Sequence, residues 1–358
     1  MQSQTMKRKM KNVDKLVDWF LYSPIYKDGA YIACYSAGRK GPIYPEITAY
    51  AISLNCILHK RQKEDKFLER AEICANYMMT ITENGAVPCF ADNLFYTFDT
   101  GIFISGMLDL YAINKKESYL RETEKSLQWL YLNQTGSEVD GRKFAAVDKV
   151  PAKKEWHHIP SVHLAKLAIP LLKASVYLDN PEYEKTAFEL LEQYKRFQLK
   201  EGNFQCNDEN PITMTHPHCY ATEAFLYAYH HSKREEYLQV AKKAADWLGK
   251  TQNDDGSFYT KYPVEKTASR QFNMVKTTDA TAQATRVWKL LGVNEQGIEK
   301  AYKYLESEIK DNGLRLYKPA SLRSKLSWQR EVYSWPTFFY LHSLILPFGQ
   351  IEYCEELF

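Results

Sequence analysis

The sequence lacks any apolar run long enough to cross a bilayer, which takes about 20 residues, and this excludes a transmembrane helix. No apolar segment follows the basic Lys7-Arg8-Lys9, so the start does not read as a secretion signal, and a cytoplasmic protein is expected. Charge of one sign is also scarce. A net charge of +3 with no further Lys/Arg-rich block argues against a nucleic-acid partner. The seven cysteines are odd in number and form no paired motif, which excludes a disulfide framework and reads as free thiols in a reducing compartment. Asn133-Gln134-Thr135 matches a glycosylation sequon, but without a secretion signal it reads as accidental. Gly249-Lys250-Thr251 lacks the upstream glycine of a phosphate loop.

Aromatic residues, in contrast, reach 14%, with 26 Tyr and 7 Trp. Such rings fill large cores, and rings with a polar edge also line sugar-binding clefts. The strongest pattern is a repeat. Asp28-Gly29, Asn84-Gly85, Asp140-Gly141, Glu201-Gly202, Asp255-Gly256 and Asn312-Gly313 recur 54 to 61 residues apart. Glycine in these pairs supplies the left-handed conformation that turns the chain. Before most of the pairs runs an amphipathic segment, such as Tyr119–Leu130 or Tyr237–Leu248, with apolar residues at helical spacing. After each comes a segment that is apolar or small nearly all round: 47–58, 102–113, 162–178, 219–229, 280–291 and 338–346. Pro45, Pro160, Pro217 and Pro336 open four of them, as suits a first helical turn. Six exposed-helix and buried-helix pairs predict an all-α (α/α)6 toroid, with six helical hairpins in an inner and an outer ring, spanning 1–358 as one domain. The choice of a closed ring over an open solenoid rests on analogy with other double-helical toroids of six hairpins.

The loops before the inner helices all gather at one end of such a ring, where function is expected. Taking the prolines as register marks, the next positions hold Glu46, Ser161, His218 and Thr337, with Asp99 and Asp279 at the matching places in the two other repeats. Asp, Ser and Thr at helix starts also serve as caps. Glu46 is wedged between aromatic and apolar neighbours, and Glu223 sits in an apolar helix, so an acid at either place is costly without a role. Trp156-His157-His158 and His216-Pro217-His218-Cys219 form a second cluster. Its spacing fits no closed zinc pattern, and neither a metal nor another cofactor is expected. Sugar stacking or proton transfer is the alternative use.

Tyr-Pro-Glu-Ile-Thr (44–48), Phe-Asp-Thr-Gly (98–101), His-Pro-His-Cys-Tyr-Ala-Thr-Glu (216–223) and Gln-Asn-Asp-Asp-Gly-Ser-Phe (252–258) resemble the helical-toroid proteins of the VpsJ type found with polysaccharide biosynthesis genes. The resemblance runs through all six repeats and implies the toroid fold and a carbohydrate partner. Asp-Thr-Gly at 99–101 is also similar to a motif of unsaturated glucuronyl hydrolases, which implies an acid/base role for Asp99. The chain departs from that family at Trp156-His157-His158, where a second acidic motif would stand. The reading is therefore a carbohydrate-active enzyme hydrolysing a glycosidic bond, with an acidic glycan expected. Asp99 serves as acid or base, with Glu46, Asp279 or Glu223 as partner. Tyr44, Trp156, Tyr220 and Trp335 stack on sugar rings, His157 and His216 bind hydroxyls, and Arg39, Lys154, Arg270 and Arg330 hold acidic groups. Two rivals remain: a uronate epimerase or polysaccharide lyase using His158, His218 and Tyr220, and a non-catalytic glycan-binding protein of polysaccharide assembly or export.

Overall fold

A computed structural model describes residues 2–36, 39–89, 94–134, 144–149, 158–209, 211–264, 275–318 and 331–358, with side chains from residue 12 onward save that of Lys318. The chain alternates outer and inner helices. The outer ones are α1 (Gln2–Tyr22), α3 (Asp65–Ile81), α5 (Glu117–Leu132), α7 (Pro181–Lys195), α9 (Glu235–Thr251) and α11 (Glu295–Ser307). The inner ones are α2 (Pro45–Gln62), α4 (Thr97–Asn114), α6 (Ala168–Tyr177, entered through a 3-10 turn at Val162–Leu167), α8 (Thr215–Ser232), α10 (Thr278–Leu291) and α12 (Ser334–Ile345). Inner helices bury nearly every residue of their first three turns, whereas an outer helix such as α9 buries only its apolar stripe. Among the described helices none is long and apolar enough to cross a membrane.

The ring closes where the sixth hairpin meets the first. The strand at Val332–Tyr333 pairs antiparallel with Cys34–Tyr35, Ser334 Oγ donates to the carbonyls of Ile32 and Ala33 at 2.8 Å each, and Asn12 donates to Glu306 on α11 at 2.9 Å. An open solenoid would leave those groups facing water.

The hairpin turns explain the glycine repeat and correct one member of it. Gly29, Gly85, Gly202 and Gly256 all sit at φ between +88° and +99°. Asp140-Gly141 lies outside the described residues. In the sixth turn the left-handed place belongs to Asn312 (φ +64°), not to Gly313, one position later. Gly313 is small for another reason: a Cβ there would lie 2.4 Å from Val332 and 2.6 Å from Trp19 side-chain atoms. Two residues beyond each left-handed residue, a backbone N–H is received by a side chain on the following inner helix. The pairs are Tyr31 to Thr48 (3.0 Å), Val87 to Thr100 (3.2 Å), Phe204 to His218 Nδ1 (3.3 Å), Phe258 to Thr281 (3.2 Å) and Leu314 to Thr337 (2.9 Å). This bond ties turn to helix in five repeats and gives the true register of the inner ring.

Candidate active site

Counting two residues back from each turn acceptor gives Glu46, Phe98, His216, Asp279 and Trp335. All five line one cleft at the mouth of the ring. Four residues on come Tyr50, Ile102, Tyr220, Gln283 and Phe339, and three further Ser53, Ser105, Glu223, Arg286 and His342. Positions i, i+4 and i+7 share a helix face, so the axis of the toroid is built in three layers. The first faces the cleft. The second makes its floor, with the Tyr50 and Tyr220 hydroxyl oxygens 2.8 Å apart and both rings edge-on to Phe339. The third is buried: Glu223 lies 2.5 Å from Lys166 Nζ and 3.2 Å from Arg286 Nη2, and Phe358 packs on His342 and Tyr50 beneath.

The cleft has a volume of about 390 Å³, within the range of small-ligand sites. Six aromatic rings line it, those of Tyr44, Tyr96, Phe98, Tyr220, Tyr317 and Trp335, together with the carboxyl groups of Glu46, Asp99 and Asp279 and the imidazoles of His163 and His216. Among the described lining residues there is no Lys or Arg. Burial raises Glu46 to about 7, offset in part by hydrogen bonding from the Tyr44 and Tyr50 hydroxyls and by the Lys166 charge. Glu46 in turn is the largest influence holding the Tyr44 phenol well above its usual range. Asp279 is held from three sides. Its Oδ1 accepts from Thr277 Oγ1 and from the Ala280 N–H (2.6 Å), and its Oδ2 accepts from Trp335 Nε1 (3.2 Å). His216 Nδ1 stands 3.7 Å from that same Oδ2, with its ring edge-on to Tyr220 at 4.3 Å. Burial pushes His216 below the usual imidazole range, while Asp279 and Gln283 pull the other way.

Of the residues expected from sequence, Glu46, Asp99, Asp279, Tyr44, His216, Tyr220 and Trp335 meet in this cleft. Others do not. His218 was placed one register set off: it is fully buried, takes the Phe204 N–H on Nδ1 and faces the Ala244 carbonyl through Nε2 at 3.2 Å. Burial drives it down to about 3, so it is a structural imidazole doing the work of the threonines in the other repeats. Thr337 is one of those threonines, and Ser161 is buried against His163 Nδ1 at 2.5 Å. Glu223 belongs to the third layer, fully buried with Lys166 and Arg286, and is not among the lining residues. His158 is buried, stacks on Tyr96 at 5.9 Å and is not among the lining residues. Arg39 is exposed on a short strand outside the lining. Trp156, His157, Lys154, Arg270 and Arg330 lie outside the described residues. Sequence reading overlooked Tyr50, His163, Tyr317, Lys166 and Arg286. Basic residues inside otherwise largely apolar or small segments, Lys166 and Lys173 in 162–178 and Arg286 and Lys289 in 280–291, were the available signal.

No protein-family model matches the sequence, and no curated protein matches it. Solved structures do. A sugar epimerase from a ruminal bacterium superposes with a TM-score of 0.78 at 9% identity, over 96% of this chain and 98% of that one. An unsaturated glucuronyl hydrolase specific for heparin gives 0.69 at 13%, over 94% and 95%. An α-1,6-mannanase from Salegentibacter gives 0.64 at 11%, over 93% and 97%. The fold is the (α/α)6 toroid. Identities this low carry the architecture and leave the chemistry to the cleft.

Proposed function

We propose that this chain is a glycoside hydrolase, acting on an oligo- or polysaccharide held in the cleft at the mouth of the toroid. The observation that carries this reading is the pairing of unlike acids in one aromatic-walled cleft. Glu46 keeps its proton to about pH 7, while Asp279 accepts hydrogen bonds from Thr277, the Ala280 N–H and the Trp335 indole. Two carboxyls in one cleft in unlike surroundings, one buried among rings and one bonded by three donors, suit acid/base cleavage of a glycosidic bond. Glu46 protonates the leaving oxygen, and Asp279 activates water or meets the sugar carbon directly. Asp99, one residue off the register of the others, orients the sugar from the neighbouring wall. The rings of Tyr44, Tyr220 and Trp335 stack on sugar faces. The resemblance to VpsJ-type proteins gives polysaccharide biosynthesis as the setting. The neighbours' names span hydrolases and epimerases, so fold alone does not choose between them.

One observation favours a second reading. His216, kept neutral by burial and set beside Asp279, is a base suited to drawing a proton from a sugar carbon, as an epimerase must.

Glu46→Gln and Asp279→Asn, assayed against a panel of neutral and acidic oligosaccharides, test the proposal. Each is expected to lower kcat by about 100-fold or more, with His216→Ala losing far less. The wild-type rate should fall as pH rises through about 7, where Glu46 gives up its proton, and Glu46→Gln should lack that limb. A rate abolished by His216→Ala and spared by Glu46→Gln would replace hydrolysis with epimerisation.

A further inference from the structure

Beneath the cleft floor lie three charges with almost no access to water: Lys166 and Arg286, side chains 1% and 0% exposed, and Glu223 at 0%. Burying such a cluster is costly, and well-packed apolar residues would hold the axis at least as firmly. Its place suggests a use. Lys166 Nζ is 4.8 Å from the centre of the Tyr220 ring, on the layer immediately below Glu46. Arg286 lies instead against the rings of Phe339 and Phe358, at 4.9 and 4.7 Å. The groups that act on Glu46 or share its cleft are the phenols of Tyr44, at the start of its own helix, and Tyr50 on it, Asp99 on α4, His163 and Lys166 in the 3-10 turn, His216 and Tyr220 on α8, Asp279 on α10 and the Trp335 indole on α12. Lys166 is the one Lys or Arg among them.

We propose that Lys166 is a positioning residue for Glu46: its ammonium, buried behind the Tyr50–Tyr220 pair and tethered by Glu223, governs when Glu46 carries its proton. The 3-10 turn delivers it, since the third hairpin is the one described repeat whose inner helix begins in that tighter form and places a lysine on the axis. Two opposed influences then act on one carboxyl. Burial favours the protonated form, while the hydrogen bonds from the Tyr44 and Tyr50 hydroxyls and the Lys166 cation beneath the floor favour the charged form. The balance leaves Glu46 able to release and regain a proton near neutrality, as a general acid must. In this way the inference deepens the acid role proposed for Glu46 and rests on it for its meaning, although the coupling itself is measurable without a substrate.

The test is a carbon-13 NMR titration of protein labelled at the glutamate side-chain carboxyl, with the Glu46 signal assigned by its loss in Glu46→Gln. Lys166→Met leaves Glu223 paired with Arg286, and it should move the Glu46 midpoint upward by about one pH unit or more. Lys166→Arg, which keeps the charge, should restore it toward the wild-type position. A folded Lys166→Met protein, changed in melting temperature but with an unmoved Glu46 midpoint, would overturn the proposal and leave the cluster a purely structural device. Should Lys166→Met fail to fold, Glu223→Gln tests the same coupling with the opposite sign: the midpoint should drop, and an unchanged one would overturn the idea. If the midpoint moves while the pH dependence of kcat/KM does not, the coupling stands and the acid role of Glu46 falls.

Discussion

At the scale of residues, the informative error is His218. In the sequence it stands after a helix-opening proline beside another histidine, and it reads as chemistry. In the structure it replaces a threonine of the repeat, receiving the Phe204 N–H, and packs against Trp247 at 4.7 Å. His218→Thr restores the pattern of Thr48, Thr100, Thr281 and Thr337, and catalysis should stay within a few-fold of the parent. Stability should fall by about 1–3 kcal/mol for the lost packing and the changed bond, as read by urea unfolding. The pH dependence has a definite sign. Folding lowers this imidazole from its ordinary 6.5 to about 3. Its contribution to stability is therefore intact above about 6.5 and drains away as pH falls toward 3, because the unfolded chain takes up the proton first. The threonine variant should lose less stability than the parent over that window. A His218→Thr protein that is folded but inactive would return this residue to the list of catalysts. Glu46 and Asp279 were legible because acids among aromatic and apolar neighbours stand out. Lys166 and Arg286 were missed because basic residues scattered in a buried segment give no motif to count, only a cost without a visible partner.

At the scale of elements, the inner and outer helices were readable from periodicity alone, since an all-round apolar segment and an amphipathic one cannot exchange places in a two-ring fold. What the sequence concealed was register. Prolines mark where a helix can begin, but Pro45 and Pro217 stand at different distances from the turn-binding residues Thr48 and His218, and α4 and α10 have no proline at the start. The reliable marker is the side chain that takes the turn N–H, which only the folded hairpin reveals. The same turns make a sharp prediction. At Gly256 a Cβ would lie 2.3 Å from backbone atoms of Lys300, in a left-handed conformation that also disfavours it. Gly256→Ala should cost several kcal/mol, beyond the roughly 1 kcal/mol of conformational strain alone. Asn312→Gly, at the matching place in the sixth turn, should be neutral or slightly stabilising. Chemical unfolding of the two variants checks both, and a Gly256→Ala protein as stable as the parent would show that the hairpins can shift apart to make room.

At the scale of the whole molecule, six hairpins brought into a closed ring do what no single repeat can. They align one residue from each of five helices around a common cleft and stack two further layers below it. The proposed hydrolysis then depends on how unlike those five residues are: a buried acid, an acid bonded by three donors, an imidazole beside it and two aromatic rings. The most direct measurement of the central claim is mass spectrometry of products formed from an oligosaccharide panel in heavy-oxygen water, using the intact protein and Glu46→Gln side by side. Hydrolysis in the cleft predicts shortened chains with one heavy oxygen at each new reducing end, formed by the parent and lost in the variant. Chains of unchanged length from every substrate, or cleavage that survives Glu46→Gln at full rate, would contradict it.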